Sequence, residues 1–412
     1  MLAFFYVVYG LWAVLHLYVS VRLIRPLAVG RFWRAALYTL FALLACISPL
    51  VLLTDQLLSA PYTQAFRWPA WVYIGGFSVL FALLAVRDLT LVVIDLVERV
   101  RAPGSRALPS TPEGATLGSQ QVPQGGATTR APSSPERRRF LLNATGGAAL
   151  GASSALTAWG LRAARKPPEV VEVEVPIADL PRELDGYHIV QLSDVHVGET
   201  IDKDFILPII ETVTSLAPDL VALTGDIVDG SVDKLRSDIS PLAYLRARDG
   251  VLCITGNHEY YSGAVEWCER FRQLGLTVLI NQHVLIKRGA GRLLVAGVTD
   301  LREGKRVPGH ASDPHAALAG APSHDVRILL AHQPKSAFDA AKLGYALQLS
   351  GHTHGGQFFP WNLLVGLVQP IARGLGKIDG MWVYVNRGTC YWGPPNRAGV
   401  PAEITSLRLR RA

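Results

Sequence analysis

Five short polar motifs in the second half of the 412-residue sequence carry side chains that suit a metal-dependent hydrolase. They supply carboxylate, amide and imidazole groups, which are the oxygen and nitrogen ligands that Mn, Fe, Zn or Mg accept. The candidate ligands are Asp194, His196, Asp226, Asn257, His332, His352 and His354. The four cysteines form no Cys-x-x-Cys motif, so we expect no thiolate ligand. We therefore predict a site for two divalent metal ions.

Each motif follows a run of apolar residues that favours a β-strand. Such runs end just before Asp194, Asp226, Asn257, His332 and His352. Residues that follow parallel strands lie at the carboxyl edge of a sheet, where α/β enzymes place their active sites. From residue 169 onward, strand and helix patterns alternate, which predicts a layered α/β domain. We expect strands over 170–175, 187–193, 220–224, 251–255, 293–298, 327–331, 346–350, 381–386 and 403–409, and helices over 205–216, 233–246, 264–274 and 335–341.

The order of the motifs resembles that of the calcineurin-like metallophosphoesterase superfamily. Its pattern of D-x-H, G-D, G-N-H-[DE], a single H and G-H-x-H is matched in full between Asp194 and His354. The resemblance implies an αββα sandwich that hydrolyses phosphate esters. It looks closest to a membrane-associated bacterial branch that includes twin-arginine-exported phosphodiesterases and relatives of UDP-2,3-diacylglucosamine hydrolases. The segments 256–261, 351–357 and 400–404 carry that narrower resemblance.

The resemblance also implies a role for each polar residue. One metal would be held by Asp194, His196, Asp226 and His354, and the second by Asp226, Asn257, His332 and His352. Asp226 would bridge the two metals, and a hydroxide between them would attack phosphorus. His258 would stabilise the transition state or protonate the leaving group, with Glu259 orienting its ring.

Several residues near the motifs have two interpretations. Asp229 could contact a ligand or cap a helix, and we favour a structural role. Tyr260 and Tyr261 could border the substrate or pack in the core. Residues 358–365 are mostly apolar, and they either pack in the core or form an exposed lip that touches lipid.

The first 100 residues contain three apolar runs, over 2–21, 35–53 and 71–86, each long enough to cross a bilayer core of about 30 Å. Residues 1–168 hold 15 Arg and one Lys against six acids, and the basic residues flank the apolar runs. That distribution indicates membrane topology, so we expect a lipid bilayer as partner and no nucleic acid. We predict three transmembrane helices over 1–100.

Residues 101–136 are rich in Pro, Gly, Ser and Thr and predict a flexible linker. Residues 137–166 begin with three arginines followed by Phe140 and an apolar Gly/Ala-rich stretch. This pattern resembles a twin-arginine signal, which would engage the twin-arginine export machinery, or it marks a fourth transmembrane helix. Both interpretations place the predicted phosphoesterase domain, residues 167–412, on the extracytoplasmic side. The many glycines make the hydrophobicity of this stretch marginal, so a cytoplasmic domain is the alternative.

Together these features predict a multi-pass membrane protein that hydrolyses a phosphoester, most simply a lipid- or envelope-related phosphodiester. One alternative is a metal-binding sensor or accessory domain without catalytic turnover. Another is a transporter or channel with an accessory domain, which the small number of apolar segments disfavours.

Overall fold

The computed structural model describes residues 2–47, 49–51, 60–101 and 135–412. Most of the predicted linker, residues 102–134, lies outside these ranges. The chain divides into two compact units. The helical unit comprises residues 1–50 and 77–154, and the sheet unit comprises residues 51–76 and 155–412.

Long helices dominate the N-terminal part of the described chain. They are α1 (Leu2–Ile24), α2 (Arg31–Ala45), α3 (Ala60–Arg101) and α4 (Pro135–Ala164). Three stretches are long and apolar enough to cross a membrane, namely Val7–Ile24, Arg31–Val51 and Ala65–Glu98. These correspond to the three predicted apolar runs. Helix α4 is not among these stretches, so the fourth crossing stays a prediction.

The sheet unit contains two six-stranded sheets. In spatial order, the first consists of β1 (Glu169–Ile177), β12 (Glu403–Arg411), β2 (His188–Leu192), β3 (Leu220–Thr224), β4 (Val251–Ile254) and β5 (Thr277–Val278). The second consists of β10 (Gly374–Ile378), β11 (Met381–Val385), β9 (Leu347–Ser350), β8 (Val326–Leu330), β7 (Gly291–Gly297) and β6 (Gln282–Arg288). Strands β2, β3 and β4 are parallel, as are β7, β8 and β9, so their carboxyl ends share an edge.

Helices cover both outer faces of the paired sheets. The helices of this part are α5 (Lys203–Ser215), α6 (Val232–Leu235), α7 (Asn257–Ser262), α8 (Ala264–Gln273) and α9 (Ala337–Ala340). Ile189 and Leu252 of the first sheet pack with Val295 and Ile328 of the second in one buried cluster. Helices α5 and α8 pack on the other face of the first sheet, and α9 packs on the second. This is the predicted αββα sandwich.

The continuous helix expected over 233–246 is wrong. Helix α6 ends at Leu235, and a separate 3-10 turn covers Ser240–Tyr244. Pro241 lies at the start of that turn and lacks the N–H that a helix running through it would need. Strands β5, β6 and β10 are absent from the sequence prediction. Strand β5 has only two residues and β10 contains two glycines, so neither carries a strong strand pattern.

The sheet unit also includes the first turns of α3 and the last turns of α4. Arg67 of α3 forms an ion pair with Glu199 in the loop after β2. The backbone N–H of Arg397 donates to the carbonyl oxygen of Gly160 in α4, at 3.0 Å. The apolar stretch Ala65–Glu98 is therefore attached at its beginning to the loops of the sandwich.

Candidate metal centre

Sharp turns after the parallel strands bring the predicted ligands together at one edge of the sandwich. Five of the seven have positive φ angles, namely Asp194 (53°), His196 (52°), Asp226 (53°), His352 (71°) and His354 (49°). Non-glycine residues adopt this conformation rarely, and it is typically found where a functional site requires it. Two glycines allow the close approach of these turns. A Cβ at Gly256 would lie 2.2 Å from Asp226 Oδ1, and one at Gly351 would lie 2.1 Å from Asp194 Oδ2.

Asp194, His196 and His354 form the first group of candidate ligands, with donor atoms within 4.8 Å of one another. The Nε2 atoms of His196 and His354 are 3.1 Å apart, and His354 Nε2 is 3.4 Å from Asp194 Oδ1. The Asp194 carboxylate also accepts the backbone N–H of His352 at 3.0 Å. Burial and the nearby Arg397 guanidinium hold the pKa of His354 well below its usual value. Its ring is therefore neutral, which is the form that binds a metal.

Asp226, His332 and His352 form the second group, again with donor atoms within 4.8 Å of one another. His332 Nδ1 donates to the carbonyl oxygen of Thr224 at 2.8 Å, so Nε2 is the nitrogen that faces the group. Burial lowers the pKa of His332, but the charge of Asp226 and the hydrogen bond to it outweigh burial and raise the pKa to about 10. A cation bound at Nε2 would therefore displace a proton. That Nε2 is 3.0 Å from Asp226 Oδ2 and 3.3 Å from His352 Nδ1. Asn257 Oδ1 lies 3.0 Å from the same His352 nitrogen. The structure thus brings all four predicted ligands of the second metal together, with Asp226 among them.

His258 lies beside both groups and is held by Asp229. Its Nδ1 contacts Asp229 Oδ1, while Asp229 Oδ2 lies 3.1 Å from His196 Nδ1. Burial lowers the pKa of His258, but the hydrogen bond to Asp229 and the Asp226 charge outweigh it and raise the pKa to about 9. Bound divalent cations would oppose this rise through their own charge. The arrangement suits a proton donor to a leaving group.

Glu259 does not orient the His258 ring, contrary to the sequence prediction. Its buried carboxylate accepts backbone N–H groups of Gly256 (2.7 Å), Asp226 (3.0 Å) and Ile227 (2.7 Å). It thereby fixes the turns that carry Asp226 and Asn257, since a buried carboxylate needs such donors. The carboxylate that contacts the ring is Asp229, for which the sequence favoured a purely structural role.

Further contacts by Arg397 and Trp392 have no local sequence signal, whereas Tyr261 is one of the two tyrosines that the sequence offered as a border of the substrate. Arg397 is buried, and its Nη2 lies 3.2 Å from His354 Nδ1 while Nη1 donates to the His354 carbonyl oxygen at 3.3 Å. Trp392 and Tyr261 are about half exposed, and the centroid of each ring lies 5.3 Å from that of His258. Arg397 positions a candidate ligand, and the two aromatic rings form walls beside the site.

The chemistry of the donor set fits two divalent ions. Each group combines carboxylate oxygen with imidazole nitrogen, and the rings of His196, His332 and His354 have their second nitrogen hydrogen-bonded outside the group. Lone pairs gathered in this way are stabilised by a cation between them. Bridging by Asp226 and the identity of the metal stay predictions.

Comparison with known proteins agrees with this geometry. The sequence profile of the calcineurin-like phosphoesterase family matches residues 187–356, which contain all seven predicted ligands. An uncharacterized metallophosphoesterase of Bacillus subtilis is 30% identical over 284 residues, which are 66% of this chain and 97% of that protein. The chain belongs to the calcineurin-like metallophosphoesterase superfamily. This membership supports hydrolysis of a phosphoric ester bond.

A second relative is named as a transmembrane protein. A zebrafish (Danio rerio) "transmembrane protein with metallophosphoesterase domain" is 39% identical over 268 residues, covering 63% of this chain. The match covers only 61% of that relative, so the chain spans about three fifths of its length. The name and the apolar N-terminal helices support membrane association.

Among solved structures, a 5'-nucleotidase precursor from Thermus thermophilus is similar over 49% of each chain, with 18% identity and a TM-score of 0.35. The narrower branch predicted from the sequence stays a prediction.

Proposed function

We propose that this protein is a membrane-anchored, metal-dependent phosphodiesterase that acts on a lipid- or envelope-related phosphodiester at the extracytoplasmic face. The proposal depends above all on the convergence of seven O/N ligands in two groups beside His258. Two divalent cations bound there would activate a water molecule and neutralise charge on the phosphoryl oxygens. Asp194 and Asp226 supply the buried negative charge that balances such cations.

The protein's own residues would supply proton transfer and positioning. His258, with Asp229 on its far nitrogen, would protonate the departing oxygen of the ester. Trp392 and Tyr261 would contact the group esterified to the phosphate, because their half-exposed rings flank His258. Arg397 would keep His354 in place through its contacts with ring and backbone.

An exposed apolar segment near the site supports a substrate held in the membrane. Residues 355–372, directly after the last ligand, contain no charged side chain. Within it, Leu363, Leu364, Leu367 and Val368 are 66%, 48%, 80% and 65% exposed; we call this exposed part, residues 361–368, the apolar lip. Phe358 is buried at 6% exposure and does not belong to it. Exposed apolar patches of this kind are typical of surfaces that meet lipid or a partner.

The base of the apolar lip is attached to the loop that packs against helix α3. Gln357 Nε2 donates to the carbonyl oxygens of Trp392 and Pro394, at 2.9 and 3.0 Å. A Cβ at Gly75 would lie 2.9 Å from Pro394 Cβ, so this helix and the loop are in close contact. Gly75 belongs to the apolar stretch Ala65–Glu98. These contacts between the lip, the loop and helix α3 support a lip at the level of the bilayer. The phosphates of membrane lipids typically join two groups as diesters, which favours a phosphodiester substrate there.

Turnover of soluble chromogenic esters by the full-length protein tests the proposed reaction. We expect bis(p-nitrophenyl) phosphate to be hydrolysed faster than p-nitrophenyl phosphate, and only with an added divalent metal such as Mn²⁺. Asp226→Asn should lower kcat by about 10³-fold or more, because ~4 kcal/mol of metal-dependent stabilisation is lost. Asp233→Asn, at a side chain that is 95% exposed, is the matched control and should retain activity.

The outcomes separate the parts of the proposal. Absence of metal-dependent turnover in the wild type, or full activity in Asp226→Asn, would contradict the hydrolase itself. Turnover of the monoester without the diester would contradict only the phosphodiesterase assignment.

A further inference from the structure

A cavity of about 550 Å³ in the helical unit is lined by an unusual concentration of arginines. They come from three segments that are distant in sequence, and they are Arg22, Arg25, Arg87, Arg138 and Arg139. Among the described residues, the lining contains no carboxylate. Five cations around one cavity repel one another unless an anion compensates them.

Arg87 is the most informative of the five because its side chain is only 9% exposed. Its Nε and Nη2 donate to Asp88 Oδ1 at 2.9 and 2.8 Å. Its Nη1 is buried and has no hydrogen-bond partner within the described part of the chain. A buried guanidinium nitrogen without an acceptor is costly, typically by ~1–3 kcal/mol or more. Gly146 lies beside it, and a Cβ there would lie 3.6 Å from Nη1.

Asp88 does not neutralise the cavity. Besides Arg87, its carboxylate accepts from Arg22 Nε at 2.6 Å and from the Tyr18 hydroxyl at 2.8 Å, so its acceptor capacity is largely used. No carboxylate within the described residues pairs with Arg25 or Arg138. The N-terminus of α4 begins at Pro135 in the same lining and adds the positive end of its dipole.

In a bilayer crossed by the apolar stretches, the cavity would lie at the level of the lipid phosphates. Arg22 and Arg25 flank the end of the apolar stretch Val7–Ile24. The third apolar stretch begins at Ala65, and the helix between Ala65 and Arg87 is roughly 33 Å long. This length is close to the thickness of a bilayer hydrocarbon core, about 30 Å. Basic pockets between membrane helices at this level are suited to the phosphate of an anionic headgroup.

We propose that this arginine cavity is a phosphate-binding site, separate from the metal centre, that takes the phosphate of an anionic phospholipid headgroup or a free phosphate ion. The ligand oxygen accepts from Arg87 Nη1, while Arg25 and Arg138 supply further charge. In this site, Arg138 and Arg139 of the predicted twin-arginine signal would bind a phosphate, whether or not the segment directs export.

Titration calorimetry on the full-length protein in non-ionic maltoside micelles tests this site. The probes are dihexanoyl phosphatidylglycerol and inorganic phosphate, added after metals have been removed with a chelator and the chelator itself removed. Arg25→Gln/Arg138→Gln should weaken binding about 30-fold, which corresponds to ~2 kcal/mol for two cations. Arg31→Gln/Arg137→Gln removes the same charge from the same unit outside the cavity lining and should change the Kd by less than about threefold. Arg87→Met should abolish the arginine-dependent binding.

Each result decides between outcomes. Arginine-dependent binding of both probes supports recognition of phosphate itself, and binding of phosphatidylglycerol alone identifies the lipid headgroup as the source. Binding of inorganic phosphate alone identifies the free ion. If Arg25→Gln/Arg138→Gln binds both probes as tightly as the wild type, or if the control variant weakens binding to the same extent, the site does not exist. Both positions are exposed, so misfolding is not expected to obscure the result.

Discussion

Asp229 holds two imidazole rings at once, that of the candidate ligand His196 and that of His258. Burial by itself would raise the pKa of Asp229, but the two rings lower it below its usual value, so the carboxylate stays charged. A charged partner on the far nitrogen makes a metal-binding imidazole more basic and fixes its orientation. One side chain therefore connects metal binding with proton transfer.

We expect Asp229→Asn to lower kcat about 10- to 100-fold and to weaken metal affinity, because the charged partner of His196 is lost. It should also shift the basic limb of the kcat–pH profile to lower pH. Asp229 raises the pKa of His258, an acid must be protonated to act, and a lower pKa removes its proton at lower pH. The measurement is kcat for bis(p-nitrophenyl) phosphate across pH at saturating Mn²⁺.

The control for this variant is Asp339→Asn, whose side chain is 72% exposed on the surface. A loss of kcat without any shift of the profile would leave Asp229 as a support for the metal ligand alone. An unchanged kcat, metal affinity and profile would show that Asp229 has no positioning role.

The loop that carries Trp392 and Arg397 connects helices α3 and α4 to the metal centre within the sheet unit. Asn396 lies against Gly160 so closely that a Cβ at Gly160 would lie 1.7 Å from Asn396 Oδ1. The Gly160 carbonyl oxygen also accepts the backbone N–H of Arg397. A displacement of the loop would therefore reach His354 through the Arg397 guanidinium.

Gly160→Ala should reduce kcat by about tenfold and lower stability by ~1–3 kcal/mol, because the added methyl group overlaps Asn396. Gly151→Ala in the same helix is the matched control. Among the described residues, nothing beyond the neighbouring backbone of its own helix lies within 4 Å of a Cβ at Gly151, so alanine there should be neutral or stabilise the helix by up to ~1 kcal/mol. Thermal unfolding and kcat measured in the same micelles compare the two variants. Equal behaviour of both would argue against coupling between α4 and the site.

At the scale of the whole molecule, an apolar helical region and an apolar lip accompany a polar metal centre. The apolar lip belongs to the same unit as the first turns of α3. The lip exposes apolar side chains, and the helix contains an apolar stretch. Burying an exposed leucine in a bilayer is favourable by about 1.5–3 kcal/mol. If the lip lies in the bilayer, the metal centre would reach the phosphate of a membrane substrate while the apolar part of that substrate stays in the lipid.

Leu363→Ser/Leu367→Ser should lower kcat/KM for hexadecyl p-nitrophenyl phosphate in phosphatidylcholine vesicles at least about tenfold relative to soluble bis(p-nitrophenyl) phosphate. The control Tyr244→Ser/Val265→Ser removes two exposed apolar side chains outside the lip. The ratio of the two substrates, measured for full-length protein in the same vesicles, is the readout. A ratio equal to that of the wild type would contradict the lipid-contact role while leaving the phosphodiesterase assignment in place.

The sequence by itself determined the class of fold and identified the candidate residues of the metal centre. Asp194 and His196, or His352 and His354, are close in the chain and follow apolar strand runs, so their types and order are readable locally. Most strands and the three apolar helical stretches follow from periodicity and run length, since these patterns reflect burial of adjacent residues. The four-residue helix α6 shows the limit, because one proline changed an otherwise helical pattern.

Only the tertiary structure decided which distant residues meet. Asp229 lies 29 positions before His258, Arg397 lies 43 after His354, and Arg87 meets arginines of two other segments in one cavity. The positive φ angles of the ligands are likewise set by turns that must close around a common point. These contacts depend on how strands and helices pack, and a local pattern of residues carries no information about a partner brought in from elsewhere in the chain.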